Sequence, residues 1–274
     1  MHDLYNIKIS EIKDSPITSI GSEYISTLFD SLSHHGILGQ KWGVRRFQNP
    51  DGSLTKAGKE RYGKIELRSV NTEKWGKRSD TNTLYITGYS GSGKSTIAQN
   101  MTDKNTHAIH LDLYIEEDGD GKEGYDSDFA NYVNEREPGI LNKIKNTNEK
   151  DRWDSIDRFS EYMEDYSKEL YKDGKRLIVE GVQLSDGTIY PDKSFFKGKP
   201  LIIPDTNAIQ SFSRASKRDG REGGLIRRAL SYNDLPERAK WYMNTNKNMN
   251  YLYNVASGSS TEKDDDAFRK RNMA

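Results

Sequence analysis

Cysteine is absent from the 274 residues, which excludes disulfides, thiolate nucleophiles and cysteine-ligated zinc together. Net charge is absent as well. Lys and Arg number 42 against 42 Asp and Glu, so no global field draws the chain to nucleic acid or to an anionic membrane, and only local patches carry an argument. No apolar run approaches the roughly 18 residues of a membrane span, and Met1–Ser10 lacks the basic-then-apolar pattern of an export signal. The sequence thus predicts a soluble, cytoplasmic, unexported protein with no membrane partner. Hydrophobic residues are scarce: 33% against 31% charged, with a mean hydropathy of −0.93. A core concentrated in part of the chain is expected, with the rest as loop, linker or solvated helix.

Three textures divide what is there. Up to about residue 33, Tyr24, Ile25, Leu28, Phe29 and Leu32 are spaced as one face of a short helix. From His34 to Arg78, eleven basic residues face four acids, a local net of +7, among glycines and turn signals such as Asn49-Pro50-Asp51-Gly52. Beyond Ser79 short apolar runs alternate with amphipathic stretches. Leu84–Thr87, Ala108–Leu111, Leu177–Val179 and Leu201–Ile203 read as strands, and Ser95–Met101 and Trp153–Tyr171 as helices, the second stopped by Asp173-Gly174. Such alternation predicts an α/β fold: a parallel sheet flanked by helices over residues 79–274, with a small basic extension over 1–78. Trp241, Tyr242, Tyr251, Leu252 and Tyr253 are expected in a last helix packed on the sheet, and Glu262–Ala274 as a mobile charged tail.

Between the first strand and its helix lies Gly88-Tyr89-Ser90-Gly91-Ser92-Gly93-Lys94-Ser95-Thr96, a fit to G-x-x-x-x-G-K-[ST] with an extra glycine at Gly91. Glycines let the backbone curl so that amides of Ser90, Gly91, Ser92 and Gly93 aim inward, the helix contributes the positive end of its dipole, and Lys94 supplies a mobile ammonium for phosphates. Ser95 and Thr96 bring hydroxyls, that of Ser95 suited to Mg²⁺. A chance match in a chain of this length is on the order of one in a hundred, and chance would not also supply a strand before it and a helix after it. The competing reading is a flexible Gly/Ser loop with an incidental lysine.

The loop and the chain after it, over about residues 80–256, resemble the P-loop kinases of small molecules, a superfamily that includes uridine-kinase-like and zeta-toxin-like enzymes. The resemblance implies a P-loop NTPase core, ATP and Mg²⁺ as cofactors, and a small-molecule or nucleotide acceptor. It carries roles onto particular positions. Asp112, after the second strand, becomes the base for the accepting hydroxyl, against a reading as a loop cap in an acid-rich stretch. Glu180, ending an apolar strand before Gly181, becomes a ligand of Mg²⁺ through water or a group that orients the attacking atom, against a reading as a cap or ion pair; Gln183 could read a polar substrate group. Arg214, Arg218 and Arg221 become the arginines of a closing lid. Arg214 and Arg218 are four apart and share a helix face, with Arg221 beyond a glycine, against a reading as a solvated basic helix. Arg227 and Arg228 are weaker members of that set.

The segment His34–Tyr62 resembles a short stretch that recurs in proteins of phages and mobile elements of Gram-positive bacteria, often in virion or head-associated polypeptides. It implies phage origin, a host-cell cytoplasmic or virion-associated location, and protein docking on a particle through residues 34–62. Trp42, Phe47 and Tyr62 among Lys and Arg leave nucleic acid open as a partner. His34 and His35 lack the further ligands that a metal site needs. Two functions remain open: a phage-encoded ATP-dependent kinase with Lys94 at its centre, or a virion structural or assembly protein carrying a nucleotide-binding domain without turnover.

Overall fold

The structure, a computed structural model, describes residues 67–115, 127–146, 149–186, 188–190, 192–206, 208–218, 220–221, 228–229 and 231–272. The N-terminal helix face expected near residues 24–32, the His34–Tyr62 module and Arg227 lie outside them. The elements run β1 (Leu67–Val70), β2 (Thr83–Ile86), α1 (Lys94–Met101), β3 (Thr106–His110), α2 (Leu111–Ile115), α3 (Ser127–Arg136), α4 (Ile140–Asn146) and α5 (Glu149–Lys172). After them come β4 (Arg176–Glu180), α6 (Gln183–Asp186), β5 (Leu201–Pro204), α7 (Ala208–Arg218), α8 (Leu235–Ser257) and α9 (Glu262–Asn272).

The chain divides into two compact units, and among the described residues one comprises 67–215 and 244–272, the other 216–243. The first unit holds a five-stranded sheet in the order β1-β5-β2-β4-β3. Within it β5, β2, β4 and β3 are parallel neighbours, and β1 alone runs antiparallel, against β5. The fold is therefore α/β with a mostly parallel sheet. β1 falls within the stretch that the sequence assigns to the extension, and it serves as an edge strand with Leu67 exposed.

Apolar runs form the strands because parallel strands bury both faces and so cannot alternate. Leu84, Ile86, Leu177, Ile178, Leu201 and Ile203 are all fully buried. α5 covers the sheet with the face that its periodicity marks: Ile156, Phe159, Met163, Tyr166 and Leu170 are buried at steps of three and four. It is tied to the start of β2 by the Thr83 and Ser167 hydroxyls at 2.7 Å and by Asn82 Nδ2 donating to the Ser167 carbonyl at 2.8 Å. It ends where expected. Gly174 takes φ +70, and the Lys175 amide reaches back to the Leu170 carbonyl at 2.8 Å, closing the last turn in the left-handed way that glycine permits.

One expectation fails outright. The charged tail is a helix, α9, held by Phe268 stacked on Tyr251 at 4.8 Å and by Tyr251 Oη donating to Asp265 Oδ1 at 2.7 Å. Its charges help it form: Glu262, Asp264 and Asp265 sit in the first turn and Arg269, Lys270 and Arg271 in the last, each complementing the helix dipole. Thr261 caps it, donating its own amide to Asp264 Oδ2 at 3.0 Å while its hydroxyl accepts from the Asp264 amide at 3.3 Å. Among the described residues no helix is long and apolar enough to cross a membrane.

Candidate functional site

The topology marks one place on the sheet. From β2 the chain goes past β4 to reach β3, and from β4 it goes the other way past β2 to reach β5. The adjacent carboxyl ends of β2 and β4 thus form a switch point, where open α/β sheets leave a crevice for ligands. The glycine-rich loop leaves β2 here, and Glu180 ends β4 here. Register seals the arrangement, since Ile86 lies opposite Glu180 on one side of β4 and His110 opposite Glu180 on the other.

The loop is shaped by its glycines. Gly91 and Gly93 adopt φ +78 and +98, a region that side chains resist. A Cβ at Gly91 would also meet the Ser211 carbonyl at 2.6 Å, so the loop lies backbone to backbone against α7. The Ser92 amide closes a turn onto the Tyr89 carbonyl at 3.1 Å, and Thr206 Oγ1 donates to the Ser92 carbonyl at 3.1 Å. Gly93 then caps α1, whose first amides, at Lys94, Ser95 and Thr96, have no carbonyl within the helix to bond.

Lys94 is buried and bends back over the loop, its Nζ donating to the Tyr89 carbonyl at 3.1 Å. Ser95 turns the other way and donates to Glu180 Oε1 at 2.9 Å. His110 Nδ1 meets the same oxygen at 2.7 Å. Glu180 is only 2% exposed. Burial pushes its carboxyl up, but the His110 hydrogen bond, the Lys94 charge and the Ser95 hydroxyl more than offset that and hold it below the ordinary value. It stays a carboxylate, and both bonds fall on one oxygen. The other, Oε2, is buried without a partner.

That orphan has company. Thr87 Oγ1, just after β2, Ser92 Oγ in the loop, Asp112 Oδ1 in α2 and Ser211 Oγ on α7, whose backbone meets the loop, are likewise buried with no hydrogen-bond partner, as are Arg68 Nε on β1 and Asn82 Oδ1 ahead of β2. Native interiors pair nearly every buried polar atom, so a group of orphans at the carboxyl edge of one sheet marks a surface built to be completed by something polar. Among the described residues no group of three or more His, Asp or Glu could hold a metal by itself.

The remaining residues singled out by sequence fall on α2, β4 to α6, α7 and the second unit. Asp112 stands not at a strand end but in the first turn of α2, since β3 stops at His110 and the chain turns helical at once. Asp186, on α6, lies within electrostatic reach of it, and burial raises the Asp186 carboxyl. Gly181 is required where it stands, because a Cβ there would meet Leu111 Cβ at 2.7 Å; Gln183 is buried behind it. Arg214 is on α7 beside the loop, its Cβ 3.2 Å from where a Gly91 Cβ would be. Arg218 ends α7 and its side chain is outside the described residues. In the second unit Arg221 stacks on Tyr232 at 4.6 Å and donates to the Ser231 carbonyl at 3.2 Å, while buried Arg228 donates to Ser216 Oγ at 2.9 Å. Sequence reasoning passes over His110. Only the register of β3 on β4 brings it to Glu180, and nothing local to residue 110 signals that.

No protein-family model matches the chain, and it matches no curated protein and no solved structure, so the site rests on its own geometry.

Proposed function

We propose that the chain is a P-loop kinase, phage-encoded, that moves the γ-phosphoryl group of ATP to a hydroxyl or phosphate of a small molecule or nucleotide. The observation that carries the reading is the loop Gly88–Thr96 itself: a glycine-shaped turn leading into α1, with Lys94 folded over it and Ser95 joined to Glu180 at 2.9 Å. Free helix amides and a buried ammonium suit polyphosphate. Ser95 and Glu180 suit Mg²⁺, which takes few protein ligands and fills its shell with phosphate oxygens and water; when bound, it would neutralise charge on the transferring group. The unpartnered Glu180 Oε2 fits that requirement.

The chain's own residues then divide the work. Lys94 leaves the Tyr89 carbonyl for the phosphates, and the amides of the loop fix them. Asp112, with an unpartnered oxygen in the same edge, accepts the acceptor's proton as its oxygen bonds to phosphorus and the bridging oxygen departs with ADP. Arg214, beside Gly91, would offset charge on that group.

ATP turnover across nucleosides, nucleotides, sugar nucleotides and DNA ends tests the reading, with Lys94→Ala as control. Wild type should consume ATP with at least one acceptor, and Lys94→Ala with none. Equal inactivity of both folded proteins on every acceptor would sink it. The segment His34–Tyr62 favours a second reading, a virion protein whose nucleotide site does not turn over, and its mark would be the chain's presence in purified particles.

A further inference from the structure

We propose that His110 is a positioning residue for the cation that accompanies the nucleotide: by donating to Glu180 Oε1 it fixes that carboxylate so that Oε2 stays uncommitted and available. The inference rests on the nucleotide reading above and adds a residue to it.

Two donors converge on Glu180 Oε1, His110 Nδ1 at 2.7 Å and the Ser95 hydroxyl at 2.9 Å, while Oε2 has none. A freely rotating carboxylate in a polar pocket would share its donors between both oxygens. Here it cannot, because Glu180 and His110 are opposed residues on neighbouring parallel strands, and strands hold their side chains more firmly than loops do. A carboxylate only accepts, so the Nδ1 position carries the hydrogen. Glu180 thereby sets the ring's orientation, and the ring sets Glu180's.

Ser95 alone would not do this. It opens α1 and is exposed, and its hydroxyl can rotate to another acceptor. His110 has its side chain only 14% exposed. It is the rigid partner, and its removal would leave the buried carboxylate free to turn and take the Ser95 hydroxyl on either oxygen. Oε2 would then no longer be held open for the metal that accompanies the nucleotide. Partners of this kind, once removed, typically cost about 10–100-fold in metal affinity.

The test uses Mn²⁺ as a spectroscopic probe on the full chain. Its affinity for the protein–ATP complex is measured by electron paramagnetic resonance, alongside metal-free ATP affinity by calorimetry, for His110→Asn, His110→Gln and His110→Leu. The Asn amide nitrogen can stand where Nδ1 stands, whereas that of Gln reaches the place of the far nitrogen. Asn should keep Mn²⁺ affinity within about twofold, while Gln and Leu lose about 10-fold, with metal-free ATP affinity unchanged in all three. Wild-type Mn²⁺ affinity in Gln and Leu would overturn the proposal. So would an equal loss of metal-free ATP binding, or unfolding of all three, since either makes His110 a packing residue. If wild type itself fails to bind ATP, the nucleotide reading falls first.

Discussion

Two lysines in the same unit are almost wholly buried, and they are buried for different ends. Lys193, 2% exposed, donates to two carbonyls, Leu184 at 2.7 Å and Ile189 at 3.1 Å, and lies against the rings of Phe196 and Phe268. Lys94, 5% exposed, reaches one carbonyl of its own loop and faces a carboxylate with an unpartnered oxygen. One ammonium is sealed among rings and backbone under α9, and burial pushes its pKa down to about 7. The other sits in a half-finished polar shell. Burial of a charge therefore says little by itself; what distinguishes a structural from a ligand-ready ammonium is whether the groups around it are complete.

Substitution should separate the pair most sharply. Lys193→Ala removes packing against two rings and strips two buried carbonyls of their donor, so a loss of about 3–5 kcal/mol in unfolding free energy is expected, with the ATP affinity of the remaining folded protein unmoved. Denaturant titration and calorimetry read the two quantities. Lys94→Ala should do the reverse, lowering ATP affinity about 100-fold, or about 2.7 kcal/mol, while shifting the midpoint of thermal unfolding little. If Lys94→Ala unfolds the chain instead, the contrast between the two collapses.

The contrast also has a pH signature. Lys193 falls from 10.5 in its ordinary state to about 7 in the fold. Between those values the unfolded chain holds a proton that the folded chain lacks, so stability rises with pH. The penalty is fully present below about pH 7 and fades toward 10.5. Wild type should gain on the order of 2 kcal/mol from about pH 7 to 9 relative to Lys193→Met, in which that proton is gone. Parallel curves for the two proteins would show that Lys193 titrates normally.

The smallest effect concerns the loop's shape. Gly91→Ala puts a methyl at φ +78, 2.6 Å from the Ser211 carbonyl, and should cost about 1–2 kcal/mol and weaken ATP binding, whereas Gly174→Ala, with nothing within 4 Å, should cost only its backbone strain and leave binding alone. Equal effects on binding would show that the close approach of the loop to α7 is incidental.

How far a feature is legible in sequence depends on the range of the interaction behind it. The loop Gly88–Thr96, the strands around Leu84, Ile178 and Ile202, and the stop at Gly174 are legible, because turn chemistry and burial on both faces write themselves into neighbouring residues. The bond from His110 to Glu180 joins residues 70 apart and depends on strand register, which leaves no local trace. Asp112 reads one element too early because Leu111 continues the apolar run of β3 while already opening α2. α9 is misread because its charges suggest a solvated tail, and its anchoring comes from one apolar ring, that of Phe268, and from a bond between Asp265 and the distant Tyr251. Lys193 carries no signal at all, since a lysine beside Asp192 in sequence gives no sign of being sealed under two rings.

Calorimetric titration of folded wild-type protein with ATP and Mg²⁺ asks whether the loop around Lys94 grips polyphosphate. A saturable isotherm with one site per chain, lost in Lys94→Ala and preserved in Lys193→Met, is the expected result. Absence of binding to both ATP and GTP in well-folded material would mean that the loop is no phosphate site.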